Sequence, residues 1–466
     1  MEAAEKKRPT LDGDVSLERV VAFALKNNPL IREALYEIQR TRGQYIEVRA
    51  SALPSVSATG TYRQEDKDLL EQTSRNIGAF SSFGASSSDF NRSGGDKNWR
   101  FAIETKQLLY SGGQVKSAIT IALNSTDAVH LALLDTVEGV IAKTRQQFYA
   151  ILLNRELIRV AEESITLLNE ELKDQQNRFE AGTVPRFNVL RAEVELANAK
   201  PELIRAKNNH FLALLDLAKT AGVPQPKNGR PPFDAHGELR MVEHGWTLEK
   251  ALATAKSRRA SLKVQERNVL NEAEQVTIAR SYDKPRLEAN AGYELRNSRL
   301  TDDLSKEANG WYFGLSGSWN IFDSGATQGK IIQAQSKLGT ARVRQQDALQ
   351  QVELDVHRAF ARVREAKELI ASQLKTVEQA DEALRLAKER LAAGAGTQLD
   401  VLDARVALTR ARTTELQARY DYNVAVAEFD RATGADTVYD DTFKDPAREK
   451  AKMKLRAGKA ELRLAD

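Results

Sequence analysis

The chain contains no cysteine in its 466 residues. That excludes disulfides, zinc–thiolate centres and thiol nucleophiles, and a lipid-modified N-terminal cysteine in this form. No run of 18 or more apolar residues occurs, so no membrane-spanning helix is expected. A membrane β-barrel stays compatible, because its strands alternate and never build a long apolar run. Met1–Thr10 is charged and has no apolar stretch, so no signal peptide is visible; either the chain is cytosolic or the sequence is a processed form with a new Met. Aromatics are only 6%, while charged residues reach 29%. That balance favours long solvated helices over a large globule. The excess of one charge sign is small: 69 basic against 65 acidic residues, interspersed, for a net +4. No basic face for nucleic acid is expected from that pattern.

Catalytic signatures are also scarce. The five histidines are scattered and no HExxH spacing occurs. Gly325-Ala326-Thr327-Gln328-Gly329-Lys330 is one residue short of a phosphate-binding loop, and Gly314-Leu315-Ser316-Gly317 is not a nucleophile elbow. The reading is a protein that is not an enzyme, with no cofactor, metal site or catalytic residue.

What is present is a sequence written twice. Ser16-Leu17-Glu18 returns as Thr247-Leu248-Glu249, and Pro54-Ser55-Val56 as Pro285-Arg286-Leu287. Trp99-Arg100-Phe101 returns as Trp311-Tyr312-Phe313, and Phe187-Asn188-Val189-Leu190 as Leu399-Asp400-Val401-Leu402. The expected organisation is an N-terminal extension (1–15), a first repeat (16–222), a linker (223–246), a second repeat (247–434) and a charged tail (435–466).

Each repeat opens on an amphipathic helix, with Ser16 or Thr247 suited to cap its free N–H groups. Pro29 divides the first into Leu17–Lys26 and about Leu30–Arg49. The period then changes to two. Val56, Ala58, Gly60 and Tyr62 alternate with Ser55, Ser57, Thr59 and Thr61; Leu287, Ala289, Ala291 and Tyr293 alternate with polar partners. Such strands have two unlike faces. A second strand in each repeat carries Phe101, Ile103 and Leu109, or Phe313, Leu315, Trp319 and Ile321. Arg63–Asn98 and Glu294–Gly310 read as surface loops. Tyr62, Trp99, Tyr293 and Trp311 fall near the strand ends away from the helices, with Tyr110, Trp319 and Phe322 toward the other ends. Two aromatic girdles suit a membrane barrel; a soluble hairpin with half-buried strands is the alternative at this point.

Proline is missing from Gln114 to Phe179 and from Thr327 to Leu391, so each stretch reads as one very long helix. Val137, Ile141, Thr144, Phe148 and Ile151 step by four and three, as do Val352, Val356, Ala359, Val363, Ala366 and Ile370. That is a narrow coiled-coil seam, and it needs partners. Gly182-Thr183-Val184-Pro185 and Gly394-Ala395-Gly396-Thr397 end these helices, and return helices close near Gly222 and Gly434.

The order of helix, strand pair, Ser-Gly-Gly or Asp-Ser-Gly turn, long helix and glycine-rich tip leads to Gly396-Thr397-Gln398-Leu399-Asp400-Val401-Leu402-Asp403 and closes with Ala418-Arg419-Tyr420-Asp421-Tyr422-Asn423. Over residues 16–434 this resembles the TolC family of outer-membrane efflux proteins. The resemblance implies a mainly α fold with a small β part. It implies a homotrimer whose protomers each give four strands to a 12-stranded barrel in outer-membrane lipid, continued by an α-helical barrel through the periplasm. It implies work with a periplasmic adaptor and an inner-membrane transporter, exporting small molecules. The alternatives are the exit duct of a type I protein secretion system and, in another class, a periplasmic coiled-coil scaffold. The resemblance also makes Asp400 and Asp403 candidate pore acids, one helical turn apart on one face. The bland reading is a first-turn acid favoured by the helix N-terminus. Gly182, Thr183, Val184 and Pro185, with Gly394, Ala395, Gly396 and Thr397, become the candidate adaptor-docking tips. The positions matching the family's tip Tyr and Arg hold Leu391 and Gly396, so any latch must use other contacts.

Overall fold

The computed structural model describes residues 11, 13–64, 66, 97–224, 233–241, 245–297 and 307–436. The long prolines-free stretches form single helices, and the elements of the first half recur in order in the second. They are α1 (Leu17–Asn27), α2 (Pro29–Ala50), β2 (Ser55–Gln64), β3 (Lys97–Tyr110), α3 (Gln114–Glu180) and α4 (Arg186–Ala221), then α5 (Leu248–Arg258), α6 (Ala260–Ser281), β5 (Arg286–Asn297), β6 (Glu307–Ser318), α7 (Ala326–Ala392) and α8 (Gln398–Thr433). Matching helices have equal lengths: 11, 22, 67 and 36 residues. Two short strands, β1 (Gly13–Val15) and β4 (Phe233–Ala235), complete the set. The candidate loop Arg63–Asn98 and the tail Asp445–Asp466 lie largely or wholly outside the described residues.

The chain divides into two compact units. One comprises Glu37–His130 and Val264–Gln346 and holds a four-stranded antiparallel sheet in the order β2-β3-β5-β6. Its strands run further than alternation suggested. Glu294–Gly310, read as a loop, is strand at both ends, with Asn297 paired to Glu307. The buried Asn297 side chain makes this possible: its Nδ2 donates to the Lys97 carbonyl and its Oδ1 accepts the Trp99 N–H, both at 2.8 Å. It thus replaces a backbone ladder where the β3–β5 register ends. At the opposite end β6 stops at Ser318, short of Trp319 and Ile321. The indole N–H of Trp319 donates to the Asp283 carbonyl at 3.0 Å, which draws the chain out of the sheet.

The other unit comprises the chain up to Tyr36, Leu131–Lys263 and the chain from Asp347. Its largest core joins Val20 and Ala24 of α1 to Ile151 and Leu152 of α3 and Leu214 and Leu217 of α4. The parallel pair β1–β4 adds Val15, Phe233 and Ala235. Burying each valine, leucine, isoleucine or phenylalanine among these stabilises by about 1.5–3 kcal/mol. A second core sets Val352, Val356 and Ala359 of α7 on Ala251 and Ala255 of α5 and Phe429 of α8. These are the seam positions that the four-and-three spacing identified.

Local chemistry explains the breaks. Ser16 and Thr247 each accept an N–H of the first turn. The Pro29 break is made by Asn28, whose Oδ1 accepts from Leu30 N at 2.8 Å while its Nδ2 donates to the Thr220 carbonyl at 2.7 Å. Pro29 itself is the first residue of α2, where its missing N–H costs nothing. Gly222 ends α4 at φ +78°, and a Cβ there would lie 2.4 Å from the Asn27 carbonyl oxygen, so no larger residue fits. Among the described residues one helix, α3, is long and apolar enough to cross a membrane by length and composition. That qualifies the expectation drawn from continuous apolar runs.

Candidate functional site

The sheet has two unlike faces, and the register assigns every residue to one. On one face Ala58, Ile103, Tyr293 and Trp311 form a cross-strand row, flanked by the rows Gly60, Phe101 and Leu295 and Val56, Thr105, Ala291 and Phe313. This face is apolar and uncovered: Trp311 is 80% exposed, Phe313 69% and Val56 72%. A contiguous apolar surface of this kind marks a membrane or partner contact. The opposite face carries Ser57, Glu104, Gly292 and Tyr312 in one row and Thr59, Ala102, Glu294 and Gly310 in the next. Its charges are paired: Arg100 to Glu294 at 2.7 Å, Arg296 to Glu294 at 3.4 Å, Lys106 to Glu104 at 3.4 Å.

The candidate girdle residues fall at several levels. Tyr62 and Trp99 are register partners at the end away from the helices. Tyr293 and Trp311 are also partners, but they sit four residues inside the lengthened strands. Tyr110 ends β3, while Trp319 and Phe322 lie just beyond β6. The distance from Trp99 to Tyr110 is about 35 Å of strand at ~3.3 Å per residue. Tilted at ~40°, that covers an apolar band of about 25 Å.

The two tips are built alike. Gly182 and Gly394 take φ +71° and +74°, the left-handed backbone that ends a helix most easily when no Cβ is present. Thr183, Ala395 and Thr397 are exposed and Val184 and Gly396 half-buried. Pro185 precedes α4, which has no side-chain cap, whereas Thr397 caps α8. Asp400 belongs to that cap. Its Oδ2 accepts the Thr397 N–H at 2.8 Å, and its own N–H donates to Thr397 Oγ1 at 3.2 Å. The Thr397 backbone and hydroxyl hold its carboxyl below the usual carboxylate range. Asp403 is exposed one turn on. Gly396 lies where a Cβ would meet Arg390 and the Leu391 backbone at 3.1 Å, and Leu391 packs beside Leu384, Val401 and Leu408.

Just behind the tips lies a polar cluster that sequence reading missed. Glu171 of α3 accepts from Gln175 Nε2 at 2.9 Å and from Gln398 of α8, and stands 3.6 Å from the Arg405 guanidinium. Arg405 also donates to the Leu167 carbonyl at 3.4 Å. The Arg405 side chain is 8% exposed and that of Glu171 14%. The signal was there: Arg405 interrupts the buried stripe Val401, Leu402, Leu408 and Ala411 of α8. Further ion pairs tie α3 elsewhere. Arg145 meets Asp430 at 3.0 Å and Asp436 at 2.9 Å, and Arg259 stands 3.6 Å from the buried Glu138. His210 lies 3.7 Å from Asp234 of β4, and burial lowers its pKa.

A family model described as outer membrane efflux protein matches residues 20–223 and 251–435. Outer membrane protein OprJ of Pseudomonas aeruginosa is 24% identical over 437 residues, covering 90% of this chain and 84% of that one. The alkaline protease secretion protein AprF of the same organism is 22% identical, covering 87% and 81%. The crystal structure of the Campylobacter jejuni CmeC outer membrane channel superposes with a TM-score of 0.77 at 16% identity, covering 94% of this chain and 88% of that one.

Proposed function

Because the chain belongs to the outer membrane efflux protein family, we propose that it forms a homotrimeric channel in the outer membrane. It is the exit duct of a tripartite efflux pump and passes small molecules outward. The observation that carries this reading is the four-stranded sheet with one uncovered apolar face and one polar face. Among the described residues β2 and β6 have no outer neighbour. Unpaired edges cost several kcal/mol per group in lipid. Three copies contributing four strands each remove the edges by closing a 12-stranded barrel. The narrow helical seams gain partners in the same step.

In this reading residues 16–222 and 247–434 are two structural repeats joined by 223–246, with an extension at 1–15 and a tail at 435–466. The equal helix lengths support that division. The tips Gly182–Pro185 and Gly394–Thr397 meet a periplasmic adaptor, which links the duct to an inner-membrane transporter. Asp400 and Asp403 form carboxylate rings at the periplasmic entrance, where rings of acids favour cations. Capping and pore lining are compatible roles for Asp400, since one Oδ serves the cap. The aromatics Tyr62, Trp99, Tyr110, Tyr293, Trp311, Trp319 and Phe322 meet the two membrane interfaces. A second reading, the exit duct of a protein secretion system, is favoured by the likeness to AprF.

The test is light scattering of detergent-purified protein together with planar-bilayer conductance. A trimer giving discrete current steps is the expected result. A monomer that neither inserts nor conducts would overturn the reading.

A further inference from the structure

We infer that the polar face of the sheet holds an oxyanion-binding constriction made by Arg100 and Arg296, near the strand ends away from the helices. The inference rests on the trimeric-channel reading, in which this face lines the pore. Arg100 and Arg296 are direct register partners on neighbouring strands. Like charges placed opposite each other destabilise a sheet, so packing alone does not account for the pair. One carboxylate, Glu294, serves both guanidiniums, which leaves a net positive charge at this level. Both arginine side chains are half exposed, 50% and 49%, whereas Glu294 is 19% exposed. The anion is therefore recessed and the cations face outward from the strand.

The layer is ordered and has room in front of it. Ala102 has Arg100 and Glu104 beside it on this face and Thr59 and Glu294 opposite. It is only 2% exposed, so the long side chains lie over the sheet. Across the next strand the partners of Arg296 and Glu294 are Ala308 and Gly310. A Cβ at Gly310 would meet no atom of the described residues within 4 Å, so among them the space beside Glu294 is open. Elsewhere on this face Lys106 pairs with Glu104 and Arg286 with Glu288, so the surplus positive charge is concentrated at the Arg100–Arg296 level. Closing three sheets would bring two guanidiniums per protomer to one level of the pore. Arginine forks match the paired oxygens of carboxylates, sulfonates and phosphates. The exported class this site selects is solutes bearing such groups.

The test titrates inorganic sulfate into the intact detergent-purified protein by calorimetry at constant ionic strength, with trimer state measured alongside. The wild type should bind sulfate saturably, and R100Q/R296Q should weaken binding at least tenfold while staying trimeric. In bilayers the same variant should lower the chloride-to-potassium permeability ratio at least threefold. A trimer that binds no sulfate, or a trimeric variant that binds it equally, overturns this site and leaves the channel reading standing. A monomer overturns both. If R100Q/R296Q fails to assemble, R100Q alone decides: an unchanged sulfate affinity overturns the proposal.

Discussion

The Glu171–Arg405 pair gives a prediction whose size follows from its surroundings. Both side chains are largely withdrawn from water, and their charged atoms stand 3.6 Å apart. At an effective dielectric of ~20 the attraction is about 4–5 kcal/mol. Desolvation consumes much of that, so the pair as a whole adds little against an apolar replacement. Removing one partner is different, because the other charge stays buried. Arg405→Met leaves Glu171 with only the amide donors of Gln175 and Gln398. Glu171→Met leaves the guanidinium with the Leu167 carbonyl. Each single change should cost about 3–5 kcal/mol locally. The double change E171M/R405M should lie within about 1 kcal/mol of wild type or above it.

The assay is amide hydrogen exchange over residues 165–175 and 398–412, which reports local opening free energy. At ~1.36 kcal/mol per factor of ten, each single variant should exchange at least about a hundredfold faster there. The double variant should return close to the wild-type rate. Two results would refute the reasoning. Single variants as protected as wild type would mean that water reaches the pair. A double variant as labile as the sum of the singles would mean that the two groups act independently.

Three other expectations are simpler. Ile151→Ala removes a fully buried side chain from the α1–α3–α4 core and should cost about 2–5 kcal/mol, read by chemical denaturation followed by circular dichroism. Phe313→Arg puts a charge in the middle of the apolar face and should weaken insertion into lipid vesicles by ~2–4 kcal/mol, while Tyr312→Arg on the opposite face should not. His210 has a folded pKa below its ordinary 6.5, because burial outweighs the attraction of Asp234, with Arg155 adding to the lowering. The unfolded chain then binds the proton more readily, so stability present above about pH 6.5 should fall as pH drops below it. In His210→Gln the slope between pH 7 and 5 should flatten; an unchanged slope would assign it to other groups.

The elements that were legible in the sequence share a cause. Each long helix has a seam, a glycine stop and no internal proline over more than 60 residues, so many weak signals agree. The boundaries of α3 and α7 accordingly fall within one or two residues of the expected ones. The strand pairs were legible because one face is apolar and the other polar. Their ends were not, because a strand end is decided by single contacts. Asn297 extends the sheet through side-chain bonds to Lys97 and Trp99, and Trp319 leaves it for Asp283. Neither contact has a local sequence signature.

The β1–β4 pair marks the harder limit. Three residues carry no measurable period, and Gly13 pairs with Phe233 across more than 200 residues. Val15 and Phe233, which fall in the segments read as an extension and a linker, are buried together in one core. The same reasoning bears on the candidate site. A sequence places Asp400 and Asp403 on one helical face, but it cannot say that Asp400 is already engaged by Thr397. Only the register puts Arg100 opposite Arg296, because residues 196 apart become neighbours through pairing alone. The tip acids were legible from a local motif and the arginine pair was not, so the two must be separated by experiment. If Asp400 mainly caps α8, Asp400→Asn should loosen the first turn of α8 and leave ion preference to Asp403. If it lines the pore, Asp400→Asn should lower cation preference with little change in exchange at Val401 and Leu402. Reversal potential and hydrogen exchange on the same variant decide between them, and an unchanged value in both would remove Asp400 from either role.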